Sequence, residues 1–468
     1  MALYRLKRER ALRCRAREIA LGGLLCLLLN QLIQSTRAHA FACAVTRGRM
    51  STLLIEGGHR LQGRVAVEGN KNAALPLLAA CLLTEDECVL TNIPRIGDVD
   101  VMARLLLDLG AEVDGIGSTT LRVRAPRVLS HVPDRALVGR LRGSVLLLGP
   151  LLARVGRAHI APPGGDFPAR RSISTHLDAL AAMGARHSAG ADHILEAPDG
   201  LKGASMYLDE ASVTGTETAL LAAAAAKGLT EIRHAATEPH VVELCEFLTK
   251  MGAGVSGIGS SKIRVEGVSR LRGAEHRLGG DYIEAGSWAV VGATTGGEID
   301  IEGAREEDIE VVAAVMKRMN VRCGMRDGVF EVKPSKLKAI RRITTGLWPA
   351  FPSDLVSLVT VLATQAEGRT LVHDWMYELR LFALEQMSGM GADMFLADAH
   401  RIIVTGPTQL RGGRVLDSRD LRSGMSLIAA GLTADGQTRV QPLEIVERGY
   451  SQLVERLQGL GARVAKVE

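Results

Sequence analysis

The chain has 468 residues, 47% of them hydrophobic and 23% charged, with 51 glycines, 15 aromatics and a net charge of +5. This is globular chemistry for roughly two to four domains, which excludes wholesale disorder. Residues 1–49 hold ten Lys and Arg against Glu9 and Glu18, so the rest of the chain is −3, a sign unsuited to nucleic acid.

The basic start runs into Ile19-Ala20-Leu21-Gly22-Gly23-Leu24-Leu25-Cys26-Leu27-Leu28-Leu29 and then Ala38-His39-Ala40. That is the layout of a secretory signal, with an apolar run too short to span a bilayer. The preferred reading is an upstream start, with the folded protein opening at Met50, because the chemistry implied below needs cytoplasmic metabolites. Seven cysteines occur without a C-x-x-C pair. Buried small hydrophobes are therefore expected rather than disulfides or zinc.

From residue 50 onward one pattern repeats six times: an apolar stretch of helical period, a Gly-centred stop, then an alternating run. The stops are Leu109-Gly110-Ala111, Met183-Gly184-Ala185, Met251-Gly252-Ala253, Met319-Asn320-Val321, Met390-Gly391-Ala392 and Leu460-Gly461-Ala462. Their centres lie 74, 68, 68, 71 and 70 residues apart. Gly suits a left-handed helix cap because it has no Cβ to clash. Such a period fits an α/β unit of about two helices and three or four strands, and six units make two pseudo-symmetric domains of three. Turns are expected before the units, at Leu61-Gln62-Gly63-Arg64, Leu201-Lys202-Gly203, Leu271-Arg272-Gly273 and Leu410-Arg411-Gly412-Gly413.

Three segments carry possible chemistry. Gly69-Asn70-Lys71-Asn72-Ala73-Ala74-Leu75-Pro76 joins a strand to an Ala/Leu-rich helix, where amide N–H groups and an ammonium can hold an anion. Its plain reading is a surface Lys beside an Asn cap. Pro162-Pro163-Gly164-Gly165-Asp166-Phe167-Pro168-Ala169-Arg170-Arg171 puts an acid on a loop beside two arginines, either a general acid or a solvated turn. Pro349-Ala350-Phe351-Pro352-Ser353-Asp354 ends in a second acid, whose plain role is to cap the helix starting near Leu355. Arg142, Arg380, Arg422 and Arg448, each taken alone, read as solvated surface. No P-loop, G-x-G-x-x-G, H-E-x-x-H or Asp/His cluster at metal spacing occurs.

Together these segments resemble the enolpyruvyl transferases, and within them the UDP-N-acetylglucosamine 1-carboxyvinyltransferase family. The likeness also rests on Ser212-Val213-Thr214-Gly215-Thr216-Glu217, Glu238-Pro239, Asp420-Leu421-Arg422 and Glu447-Arg448-Gly449-Tyr450, in matching order from about Leu53 to the C-terminus. It implies an inside-out α/β barrel fold of two domains, 71–278 and 50–70 plus 279–468, joined by two crossing strands. It also implies transfer of the enolpyruvyl group of phosphoenolpyruvate to the 3-hydroxyl of UDP-N-acetylglucosamine, the first committed step of peptidoglycan synthesis. No cofactor or metal is implied, nor a membrane partner for the folded body, and the location is cytoplasmic.

By the same resemblance Lys71, Arg142, Arg171, Arg380, Arg422 and Arg448 bind the phosphate and carboxylate, with Asp98 positioning Lys71. Asn72 and Asp354 contact the sugar, Asp354 deprotonating its hydroxyl, and Asp166 protonates the methylene carbon. Ser172, Ile173, Ser174, Thr175, Ser212, Val213 and Met376 complete the substrate contacts. Two departures stand out. Asp166 occupies a position where most members have Cys, which implies resistance to fosfomycin. Ser172-Ile173-Ser174-Thr175-His176 replaces the usual Pro-Val-Asp-Leu-His beside the nucleotide, and Glu210 replaces a Lys or Pro. Uridine monophosphate is therefore an alternative acceptor, and a non-catalytic nucleotide-sugar-binding paralogue an alternative class.

Overall fold

The computed structural model of the chain describes residues 51–165, 172–378 and 380–467. Among these, six sheets form, five of four strands and one of three, and none closes on itself. The unit containing residues 205–266 shows the plan. Strand Ser205–Tyr207 leads into helix Val213–Ala224, and strand Leu229–Arg233 returns parallel to the first. Helix Pro239–Lys250 follows, and strands Gly254–Ser256 and Lys262–Glu266 close the sheet as an antiparallel hairpin.

All six expected stops sit at helix ends in the left-handed region. Gly110, Gly184, Gly252, Gly391 and Gly461 have φ between 86° and 109°, and Asn320 has φ 63°. A Cβ there clashes with its own backbone, so Gly dominates, and Asn is the side chain that best tolerates the conformation. Each stop leads directly into a strand, such as Glu112–Asp114, Arg322–Arg326 or Arg463–Val467. One expected turn is wrong. Gln62-Gly63-Arg64 belongs to strand Gln62–Ala66, which pairs parallel with Glu298–Glu302. Gly63, at φ 131°, is accommodated within the ladder rather than ending it.

Some helices are buried on every side. All thirteen residues of Tyr282–Thr294 and all nine of Val356–Thr364 are buried. These helices are Ala, Val and small-residue rich, and a helix apolar all round has no solvent face to offer. Tyr282–Thr294, Val356–Thr364 and Leu421–Thr433 pack on one another, and each also packs on a sheet. The buried apolar side chains fall into two clusters, one spanning residues 73–278 and the other residues 53–67 together with 282–464. Cys81, Cys88 and Cys245 are buried and free, as small hydrophobes.

Two segments run between the clusters. Gly69 and Gly280 form an antiparallel bridge, with Asn70 N–H donating to Gly279 O (2.8 Å) and Asp281 N–H to Glu68 O (2.9 Å). Glu284 secures this crossing. Its carboxylate accepts from Glu68 N–H (3.2 Å) and Trp288 Nε1 (3.4 Å) and pairs with Arg456. Burial outweighs Arg456 and, with Asp281 nearby, pushes the carboxyl up to about 7 from the usual 4.5.

A carboxyl whose pKa is higher folded than unfolded stabilises the fold below its unfolded value, and that stabilisation disappears as pH rises through the folded one. Between pH 4.5 and 7 the native chain should therefore lose stability, on the order of 2 kcal/mol, relative to Glu284→Gln. Urea midpoints of both proteins across that range would show it; parallel pH curves would remove Glu284 as the cause.

Candidate active site

The first cluster forms where helix Lys71–Ala80 begins. Asn70 caps it, its side chain accepting from Asn72 and Ala73 N–H, and this fixes Lys71 in the first turn. Lys71 is 8% exposed, so the expectation of a surface lysine fails. Its Nζ lies 2.6 Å from Asp98 Oδ2, and Asp98 Oδ1 accepts from Arg448 Nε at 2.8 Å. Burial alone would push the Asp98 carboxyl up. The Lys71 ammonium and then the Arg448 guanidinium outweigh it and hold the group below the usual carboxylate range. One buried carboxylate thus keeps two cations side by side.

The loop start meets this cluster. Gly164 and Gly165 lie so close to the 139–140 backbone that a Cβ on Gly165 would sit 2.1 Å from Arg140 O and 3.0 Å from Arg448 Nη2. Gly165 also has φ 76°. Asp166 and Arg171 themselves lie outside the described residues, but the residue before Asp166 abuts the Arg448 guanidinium. Gly165→Ala should therefore displace the loop, cutting turnover about tenfold or more at a stability cost of roughly 1–3 kcal/mol. Phosphate-release rates with a urea titration would test this. Native rates would mean that the loop start does not set the position of Asp166.

Beyond the loop, Arg142 Nη2 donates to Ser172 O (2.8 Å) and Ser172 Oγ accepts from Ser174 N–H (3.0 Å). Ile173 precedes helix Ser174–Ala182, in which Thr175 is buried. The Thr175 methyl would touch a Cβ on Gly215, next to the Ser212 cap of helix Val213–Ala224. Ser172, Ile173, Ser174, Thr175, Ser212 and Val213 are thus gathered at the starts of two packed helices. Glu210 is exposed.

The second cluster centres on Asp354. Oδ1 accepts from Arg380 Nη1 and Oδ2 from Arg422 Nη2, both at 3.2 Å. Asp354 lies in a 3-10 turn whose end residues make no side-chain cap, so the carboxylate serves the arginines. Arg422 is 3% exposed and Arg380 nearly as enclosed, against the surface role each had singly. Burial would lower both guanidinium pKa values; Asp354 with its neighbours, and Tyr450 for Arg422, raise them instead.

Ser353 Oγ donates to Asp374 Oδ2 (2.7 Å) and accepts from Arg380 Nη1 (2.9 Å), and Thr345 Oγ1 donates to Asp374 Oδ1 (2.8 Å). Met376 N–H also reaches Asp374 Oδ1, at 3.2 Å. Asp374, wholly buried, organises this corner, and no sequence pattern pointed to it.

The clusters are connected. Tyr450, two residues past Arg448, accepts from Arg422 Nη1 at 3.3 Å. Asp281 Oδ2 accepts from Lys71 N–H at 3.2 Å and its charge also reaches Arg422. Nearby, burial presses His240 down to about 4, with Asp354 and then Glu243 opposing it, so the imidazole is neutral at pH 7. Burial likewise raises Glu217, with Glu238 adding to it, and raises Glu238 itself. Two carboxylate-bridged cation pairs therefore face one region, a geometry suited to a ligand with several anionic groups.

The family pattern described as EPSP synthase (3-phosphoshikimate 1-carboxyvinyltransferase) matches residues 55–457. The chain is 40% identical over 427 residues to the UDP-N-acetylglucosamine 1-carboxyvinyltransferase of Borreliella burgdorferi, spanning 90% of this chain and 100% of that one. The chain belongs to the enolpyruvyl transferase family.

It is 41% identical over 426 residues to the enzyme of the same name in Treponema pallidum, covering 89% of this chain and all of that one. In fold, this enolpyruvyl transferase is similar to NikO from Streptomyces tendae (TM-score 0.81, 24% identity, 89% of this chain and 99% of that one). It is also similar to EPSP synthase from Acinetobacter baumannii (TM-score 0.70, 20% identity, 89% and 100%). It is an enzyme of the 1-carboxyvinyl transferase type. Among the described residues no group of three or more His, Cys, Asp or Glu could hold a metal, and no helix is long and apolar enough to cross a membrane.

Proposed function

We propose that this enolpyruvyl transferase moves the enolpyruvyl group of phosphoenolpyruvate to the 3-hydroxyl of UDP-N-acetylglucosamine, releasing phosphate for cell-wall precursor synthesis in the cytoplasm. The observation that carries this is the pairing of Lys71 with Arg448 across Asp98, and of Arg380 with Arg422 across Asp354. Relatives 40–41% identical over nearly their whole length support the acceptor.

Both pairs, Lys71 with Arg448 and Arg380 with Arg422, together with Arg142 and Arg171, neutralise the phosphate and carboxylate of phosphoenolpyruvate. Asp354 takes the proton of the sugar hydroxyl while Asp166, protonated, gives its proton to the methylene carbon. The sugar oxygen bonds to the central carbon, giving a tetrahedral ketal. Asp166 then takes back a methyl proton, the double bond re-forms and phosphate leaves with the proton from Asp354. Asn72, Ser212, Val213, Met376 and residues Ser172 to Thr175 hold the nucleotide sugar.

The two hydrophobic clusters support a two-domain reading, 71–278 and 50–70 with 279–468, each an inside-out α/β barrel of three units around its buried helices. The bridged segments at Gly69 and Gly280 are then the hinge.

Phosphate release from phosphoenolpyruvate tests the assignment, with UDP-N-acetylglucosamine, uridine monophosphate and shikimate 3-phosphate offered singly. Turnover with the first supports it. Turnover with another alone keeps the chemistry and moves the pathway, and silence with all three overturns it. Activity should also survive fosfomycin, since a carboxylate at 166 is not alkylated as a thiolate is. Asp166→Cys should become covalently inactivated, with mass spectrometry reading one adduct; an adduct on the native chain would contradict this.

A further inference from the structure

A cavity of about 600 Å³ opens between the last turn of helix Glu306–Arg318 and the edge strand Arg342–Thr344. It is lined by Arg318, Arg341, Arg342, Thr344 and Leu371, none of which belongs to the candidate active site. Its volume lies in the usual range for small-ligand pockets, about 300–1,000 Å³.

Three guanidinium groups from three different elements converge there: a helix end, a connector and a strand. In the candidate active site each cation pair is bridged by a carboxylate, as at Asp98 and Asp354. Around this cavity no described carboxylate pairs with Arg318, Arg341 or Arg342. All three arginines are exposed, so water screens their mutual repulsion, and an anion entering between them meets guanidinium groups that no carboxylate already holds. Thr344 completes the wall on the same strand as Arg342. Leu371 supplies an apolar floor, on a strand whose neighbour is the arginine strand itself.

We propose that this cavity binds a small ligand carrying two adjacent anionic groups, of which a diphosphate is the simplest, held by Arg318, Arg341 and Arg342. Guanidinium forks match phosphoryl oxygens two at a time, so three forks fit two linked anions better than one. Thr344 precedes Thr345, whose hydroxyl holds Asp374 and through it Ser353 beside Asp354, so the bound ligand lies one residue from the network that orients the candidate base.

The test is calorimetric titration of the full chain with inorganic pyrophosphate, compared with Arg341→Gln/Arg342→Gln and, separately, Arg318→Gln. Differences between native and variant chains isolate this cavity from the anion-binding active site, which the variants leave untouched. The native chain should show a binding component that is roughly tenfold or more weaker in the double variant, as expected for losing several charge-assisted hydrogen bonds, and clearly weaker in the single one. Sulfate at the same ionic strength should not reproduce that component. Replacing pyrophosphate with adenosine or uridine diphosphate identifies the source: tighter binding assigns the cavity to a nucleotide, equal binding to the diphosphate group alone. Superimposable isotherms for native and variant chains, or sulfate binding as tightly as pyrophosphate, would overturn the proposal.

Discussion

Asp98→Ala is expected to unfold more easily, by about 3 kcal/mol, and to lose turnover by at least a factor of about a thousand. Asp98 is 3% exposed and holds both Lys71 and Arg448. Removing it leaves an ammonium and a guanidinium facing each other in a poorly solvated space, and an unpaired buried charge costs far more than the pair contributed. A second substitution separates the two losses. In Asp98→Ala/Lys71→Met the surviving Arg448, 22% exposed at its side chain, can turn toward water, so most of the stability should return. The activity should not, because the proposed mechanism uses both Lys71 and Arg448 to hold the phosphate. Urea denaturation and phosphate release on the three proteins measure this. Recovery of turnover along with stability would show that Asp98 acts only as a structural counterion and that Lys71 is dispensable.

Asp354→Asn should lower the rate by roughly a hundred- to ten-thousand-fold, the usual worth of a positioned general base. The change keeps the size of the side chain but substitutes an amide NH2 for one oxygen. That NH2 would meet a guanidinium donor, either Arg380 or Arg422, each now 3.2 Å from an oxygen. Arg380 is also held by Ser353 and lies 4.5 Å from the Tyr377 ring, so it should keep its place. Arg422 keeps Tyr450. The expected signature is therefore a fall in kcat with a smaller change in KM for the sugar. His240 cannot substitute, because burial, only partly opposed by Asp354 and Glu243, leaves it with a pKa of about 4 and a weakly basic ring. A variant within tenfold of the native rate would exclude Asp354 as the base.

These two residues also show where sequence reading stops. Asp354 next to a helix start looks like a cap, and only the fold reveals that its oxygens point at arginines 26 and 68 positions later. Asp98 lies in the first turn of its helix, 350 positions before the arginine it binds. Asp374 was invisible for a stronger reason: Val372-His373-Asp374-Trp375 has the composition of any strand end. The repeat was legible because the left-handed cap tolerates very few side chains, so the chemistry of one backbone position surfaces as a letter every 70 or so residues. Long-range ion pairs impose no such spacing. Asp166 and Arg171 are known from the sequence alone.

Strand Thr52–Glu56 lies between Gln437–Gln441 and Arg463–Val467, so the first described strand is completed by the last. During synthesis that strand leaves the ribosome some 400 residues before either partner exists. At about 5–20 residues per second it waits roughly 20–80 s, its Leu53 and Ile55 uncovered. Residues 73–278, by contrast, hold their own apolar cluster and can collapse as soon as they emerge. The nascent chain is thus a finished half trailing a sticky, unpaired tail, and the interval before its closure is when a chaperone or a neighbouring polysome has most to offer it.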